Sequence, residues 1–172
     1  MLSRLFRSLR ERGLAQTLAA ASRWLERASM LWVWRLRYPS VAPSAYGVLL
    51  KANWSDRTFV RAFRASYGRA LSDLLTQRTA PYVFVDIGAN QGIFTLVAAV
   101  APACQHVFAF EPVPETFARL VDNVALNRSG ERVTAYCCGI SDHSSAATIS
   151  ITPGHSGAAT LRTGIPSRVT TE

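Results

Sequence analysis

The segment Asp86-Ile87-Gly88-Ala89-Asn90-Gln91-Gly92 holds the residue types a ligand-binding loop needs. A carboxylate ends an apolar run, two glycines follow, and a new apolar pattern begins at Ile93. Gly88 permits a tight turn off a strand, and Gly92 lets the next helix start close to a sheet. In the dinucleotide fingerprint a further glycine stands where a pyrophosphate must touch backbone. Here Asn90 takes that place. Asparagine tolerates left-handed backbone well for a residue with a side chain. The turn therefore survives, but the side chain would crowd a pyrophosphate. The loop favours a nucleoside without phosphates and argues against a nicotinamide dehydrogenase.

Glu111 stands 23 residues after Gly88, at the end of the next apolar run. An acid at that distance can accept hydrogen bonds from both ribose hydroxyls. Asp86, across the pocket, suits a cationic or amino group, and the turn's main-chain amides suit the rest of the ligand. Adenosine-like ribose, no phosphate and a positive sulfonium amino-acid tail describe S-adenosylmethionine.

The stretches "FVDIGANQG", "FAFEPVPETFARLVDNVALN" and "GISD" together resemble the FkbM-type S-adenosylmethionine-dependent methyltransferases, over roughly Tyr46–Arg162. The resemblance implies an enzyme that O-methylates a hydroxyl on a sugar, a glycan or a secondary metabolite. It implies that Asp86, Gly88, Asn90 and Gly92 cradle the methionine part and that Glu111 holds the ribose. The segment Ile140 to Asp142 would border adenine, with Asp142 accepting from its amino group. No catalytic residue and no metal follow from it. Plainer readings stand beside these. Gly88 and Gly92 can be bare turn glycines, Glu111 a solvated strand-end acid, and Asp142 and Asn127 caps. Asn123 reads as a helix-surface residue and His106 as structural. His143 and His155 are loop histidines able to act as bases near neutral pH.

The elements that must position these residues follow a regular order. "YVFVDI" and "HVFAFE" are short apolar runs, as buried parallel strands should be, and "RVTAYCCGI" is a third. "IFTLVAAVA" and "PETFARLVDNVALN" read as the intervening helices. Strand and helix alternate as in the first half of a doubly wound α/β domain. The fold class expected is therefore α/β: a Rossmann-like class I methyltransferase half-domain, preceded by an N-terminal helical region. Upstream, residues 55–78 read as helical and Tyr38–Gly47 as a linker or loop. Downstream, residues 144–162 suggest a hairpin turning at Pro153-Gly154, and the tail after it carries no strand signal. The division expected is residues 1–45, a basic amphipathic helical segment and linker, and residues 46–172, an incomplete S-adenosylmethionine-binding domain.

The incompleteness is an expectation from the family pattern. A fourth strand of the form D-x-x-K-x-D-x-E-G usually follows in that family, and this chain has none. The cofactor-binding half would be present and the acceptor half missing. The first strand would then expose a long apolar edge.

The formal charge of +8 is uneven: +6 over residues 1–38, +4 over 39–80 and −2 over 81–172. The basic character belongs to the N-terminal half. Leu2, Leu5, Phe6 and Leu9 form a helical stripe between arginines, and Leu14, Leu18, Ala21 and Leu25 form a second. These helices either lie on anionic lipid through residues 1–37 or pack on their own domain. Their uncharged runs are too short to cross a membrane. A basic peripheral membrane protein, or a nucleic-acid-binding one with a degenerate nucleotide fold, is the alternative. No nucleic-acid motif supports the latter. Cys104, Cys137 and Cys138 form no metal or disulfide framework and read as reduced thiols in a cytoplasmic protein.

Overall fold

The computed structural model describes residues 25, 29–142, 147–160 and 169–171. The N-terminal stripes lie outside them, apart from Leu25, and so does His143. The chain divides into two compact units, Met1–Pro39 and Ser40–Glu172. In the first, residues 29–37 are helical (α1), and Trp32, Val33 and Leu36 are exposed.

The second unit opens with a small hairpin of β1 (Val41–Pro43) and β2 (Leu49–Lys51). The prolines and serines of Tyr38–Gly47 suggested a loop. Instead Ala42 is fully buried, and Ser44 N donates to Val48 O at 2.8 Å. Asn123 and Asn127 hold the hairpin to α5 (Pro114–Leu126). Asn123 accepts from Lys51 N at 2.7 Å and donates to Gln91 O at 2.8 Å. Asn127 does both with the Leu49 backbone, at 2.9 and 2.7 Å. Asn123 is thus a fully buried clamp, not the surface residue its helical position suggested. A buried amide persists only when its hydrogen bonds are met, and here both ends are.

The helical stretch expected over 55–78 is two helices: α2 (Arg57–Phe63) and α3 (Arg69–Gln77). Left-handed backbone at Ala65 (φ 46°) and Gly68 (φ 67°) separates them. A Cβ on Gly68 would lie 2.3 Å from the Phe94 ring, so the break lets that ring seat against the backbone. Phe59 and Phe63 stack at 6.3 Å, and Trp54 meets both edge-on.

Asp56 caps α2 by accepting from Thr58 N at 2.7 Å. It also accepts from Gln91 Nε2 at 2.6 Å and from Ser156 N at 3.3 Å. One carboxylate therefore ties together three chain segments. Asp56→Ala should cost about 2–4 kcal/mol, from a lost cap and stranded buried donors. Urea unfolding measures it, and a loss below about 0.5 kcal/mol would show that the cluster carries no such load.

The centre is a parallel sheet in the order β3 (Tyr82–Ile87), β4 (Cys104–Phe110), β5 (Val133–Tyr136). Asp86 pairs with Ala109, and Ala109 with Ala135. α4 (Ile93–Val100) packs on one face through Val97, Ala98 and Ala99, against Leu75, Cys104 and Val107. Small residues there let helix and sheet approach closely. Strand, helix, strand, helix, strand is observed as expected.

The other face differs from the expectation of strands buried on both sides. Val83, Val85 and Ile87 are exposed at 51%, 53% and 64%. Side chains alternate across a strand, and no described element covers this side of β3. Beyond β5, β6 (Ala147–Ile149) pairs antiparallel with β7 (Val169–Thr171), and β7 lies in the tail expected to carry no strand. The Pro153-Gly154 turn is present, with its flanks joined at Ser150 and Thr160.

Candidate functional site

The turn between β3 and α4 takes three left-handed residues in five: Gly88 (φ 77°), Asn90 (φ 53°) and Gly92 (φ 85°). Asn90 is the non-glycine member, as its side chain allows. The two glycines serve different ends. A Cβ at Gly92 would lie 2.4 Å from Leu120 Cδ1, so Gly92 is required by helix packing. A Cβ at Gly88 would meet nothing within 4 Å. Gly88 therefore faces open space, where a ligand can reach backbone.

Glu111 leaves the tip of β4 and turns back onto the loop. Its Oε2 accepts from Asn90 N at 2.8 Å and its Oε1 from Val113 N at 2.9 Å. The residue is 5% exposed. Burial raises its pKa above 4.5, the two amides hold it down in part, and the nearby Asp86 charge adds to the rise. Asp86 accepts from Thr95 Oγ1 at 2.6 Å. Burial likewise raises its pKa above 3.8, against the Thr95 hydrogen bonds. Tyr67 lies in the field of the same carboxylate, and burial pushes its hydroxyl up to about 12.

Four amides of the turn already have protein partners. Gly88 N and Ala89 N both donate to Phe110 O, at 2.9 and 3.0 Å. Gly92 N donates to Ala89 O, and Asn90 N is taken by Glu111. The amides lock turn to strand tip and aim the carboxylate. These four donors, spent in this way, form no anion nest.

Asp86, Gly88, Asn90, Gly92 and Glu111 thus stand in one constellation. Ile140 and Asp142 lie in the exposed loop after β5, where Asp142 Oδ1 accepts from Ser141 Oγ at 3.1 Å. That loop passes the same strand end: a Cβ at Gly139 would stand 3.8 Å from Pro112 Cβ. The Glu111 charge also contributes to the raised pKa of Cys137, after burial and Cys138. His106 is structural, its Nε2 2.8 Å from Thr134 Oγ1.

Sequence reasoning missed the support around the turn. Gln91 is 7% exposed, and its Nε2 donates to Asp56 and, at 3.2 Å, to Ser156 Oγ. Ser156 Oγ in turn donates to Asn90 Oδ1 at 3.0 Å. Asp56 preceding an apolar helical pattern was the available signal, a helix cap. Nothing local marked Thr95 or Ser156. Among the described residues no group of three His, Cys, Asp or Glu side chains can hold a metal ion.

Known proteins resemble this chain. The sequence profile of the methyltransferase FkbM domain matches residues 86–172. Methyltransferase sdnD of Sordaria araneosa is 37% identical over 89 residues, which is 49% of this chain and 33% of that protein. A transferase of Pyrococcus horikoshii superposes with a TM-score of 0.47 at 27% identity, over 58% of this chain and 36% of that one. TYW2 of P. horikoshii, in complex with MeSAdo, superposes at 0.42 with 24% identity, over 59% and 36%. The chain spans about a third of the length of each of these relatives.

Proposed function

The chain belongs to the methyltransferase FkbM domain family, and from that premise we propose that it binds S-adenosylmethionine at the Gly88 turn for methyl transfer to a hydroxyl. The observation that carries the reading is the Glu111 carboxylate, buried, anchored by two amides and aimed at the turn. The residues present fit the cofactor. Glu111 keeps lone pairs for the ribose hydroxyls, Gly88 leaves backbone open, and Asp86 offers a fixed negative charge to a cationic tail.

S-adenosylmethionine, when bound, supplies an electrophilic methyl group. The chain's part is to hold the reacting atoms in line and to shed water. Glu111 is set before the ligand arrives, so little reorganisation is needed. Asp86 is held in place by Thr95. The acceptor class that best suits the family is a sugar, glycan or secondary-metabolite hydroxyl. Calorimetric titration with S-adenosylhomocysteine tests the cofactor reading; a heat-silent titration with the folded chain overturns it.

The shifted acids give a pH test with opposite signs. Both have raised folded-state pKa values. Their contribution to stability is fully present below the ordinary carboxylate range and is lost as pH rises through the raised values. Binding runs the other way, because only ionised Glu111 accepts both ribose hydrogen bonds. Between about pH 7 and about pH 4, affinity for S-adenosylhomocysteine should fall while these two groups add to stability. Titrations and melts at matched pH measure both, and pH-independent affinity would remove Glu111 from the contact.

A second reading has its own observation. On α1, Trp32, Val33 and Leu36 are exposed, and Arg35 stacks over Trp32 at 5.9 Å. Aromatic, aliphatic and basic groups together suit an anionic lipid surface. No helix among the described residues is long and apolar enough to cross a membrane. Flotation with anionic liposomes, with and without residues 1–37, tests it.

A further inference from the structure

A cleft of about 220 Å³ opens between the Asn53–Asp56 segment, the first turns of α5 and the Thr152–Ser156 loop. Its walls carry Asn53, Ser55, Gln91, Arg119, Thr152 and His155. None of these was assigned to the cofactor.

The cleft adjoins the glycine turn through a shared wall. Gln91 and Asp56, both buried, line it, and their 2.6 Å hydrogen bond fixes that side. Ser156 accepts from Gln91 and donates to Asn90, so a cleft residue touches the turn directly. His155 precedes it, held by its own amide on Thr152 O at 3.0 Å. A molecule seated here lies beside the loop proposed to cradle the methionine part.

Its chemistry narrows the occupant. Arg119 stands 3.9 Å from Glu115 Oε1, so the cation is offset by a neighbouring carboxylate. Asp56 is a second carboxylate, occupied by Thr58, Gln91 and Ser156 donors. This lining has no positive surplus for a phosphate or a nucleic-acid backbone. What it offers is a mixture of hydroxyl, amide, imidazole and guanidinium groups. Its volume is below the roughly 300–1,000 Å³ of a drug-sized pocket, which suits one sugar-sized ring.

We infer that this cleft seats an uncharged, polyhydroxylated methyl acceptor, with Arg119 and His155 among its hydrogen-bonding contacts. The inference rests on the methyltransferase reading, but its test separates the two. The full chain, labelled with nitrogen-15, is titrated with methyl α-glucopyranoside, methyl α-rhamnopyranoside, myo-inositol and inorganic phosphate, with and without S-adenosylhomocysteine.

The expected result is saturable amide shifts confined to residues 53–56, 91, 115–119 and 152–156 for at least one polyol. Arg119→Ala or His155→Ala should weaken that binding about tenfold while S-adenosylhomocysteine affinity holds. Should His155→Ala disturb its turn, Arg119→Ala, on the rim of α5, decides alone. The inference is overturned if no polyol gives saturable shifts, if they map elsewhere, or if phosphate binds the cleft more tightly. Polyol shifts in the cleft without S-adenosylhomocysteine binding would sink the cofactor reading and leave a polyol site that is no methyl-acceptor site, which overturns the inference too. The reverse pattern would sink the cleft alone.

Discussion

Glu111→Ala should weaken S-adenosylhomocysteine binding by on the order of 100-fold or more. A hydrogen bond to a charged group is worth about 1.5–3 kcal/mol, and the ribose offers two hydroxyls. The variant also strands two amides, Asn90 N and Val113 N, that the carboxylate now satisfies. Stability should therefore fall by roughly 2–4 kcal/mol, at about 1–2 kcal/mol per stranded donor. Glu111→Gln separates charge from shape. It keeps one acceptor oxygen and loses the charge, so affinity should lie between wild type and the alanine variant. Calorimetry reports affinity, and chemical unfolding reports stability. A folded alanine variant with wild-type affinity would show that the carboxylate only staples the turn to the strand tip.

The second large effect is on folding. Gly92→Ala places a methyl group 2.4 Å from Leu120 Cδ1, at φ 85°. Left-handed backbone costs an alanine about 1–2 kcal/mol, and overpacking a tight core adds about 1–3 kcal/mol. Leu120 is fully buried and has little room to yield. A total of about 2–5 kcal/mol is a large share of a small domain's stability. Gly88→Ala is the matched contrast. Its φ of 77° brings the same kind of backbone strain, but its methyl group meets no protein atom. It should lose only the strain energy, about 1–2 kcal/mol, and lose affinity because the methyl group fills the open approach. Unfolding and titration of the two variants should give a crossed pattern. Equal stability losses would mean that Gly92 is no more constrained by packing than Gly88.

The split between these glycines shows why the turn is built as it is. A ligand loop on an α/β sheet must be tight enough to start the next helix and bare enough to let a ligand in. One glycine meets each demand. Asn90 links them, its amide on Glu111 and its side chain on Ser156. Left-handed turn, strand-tip acid and downstream loop are therefore one hydrogen-bonded assembly, and a disturbance in any of the three should be felt at the others.

Local sequence was enough for the parts that depend on local physics. The alternation of apolar runs and amphipathic stretches marked β3, α4, β4, α5 and β5, because strand and helix periods differ and each must bury one face. The glycine spacing, Asn90 and the strand-tip position of Glu111 marked the ligand turn, because few residue types accept its backbone. Packing between distant segments decided the rest. The break at Gly68 exists because the Phe94 ring needs the space, and Phe94 lies beyond the next strand. Asn123 is a buried clamp because β2 and the Gln91 carbonyl meet it, and neither is near it in sequence. Partners also decided what the turn amides do. Phe110 O and Glu111 arrive from the neighbouring strand and take the donors that the isolated loop would have left for a ligand. A residue's type states what it can bond, but only the fold determines which partner comes within reach.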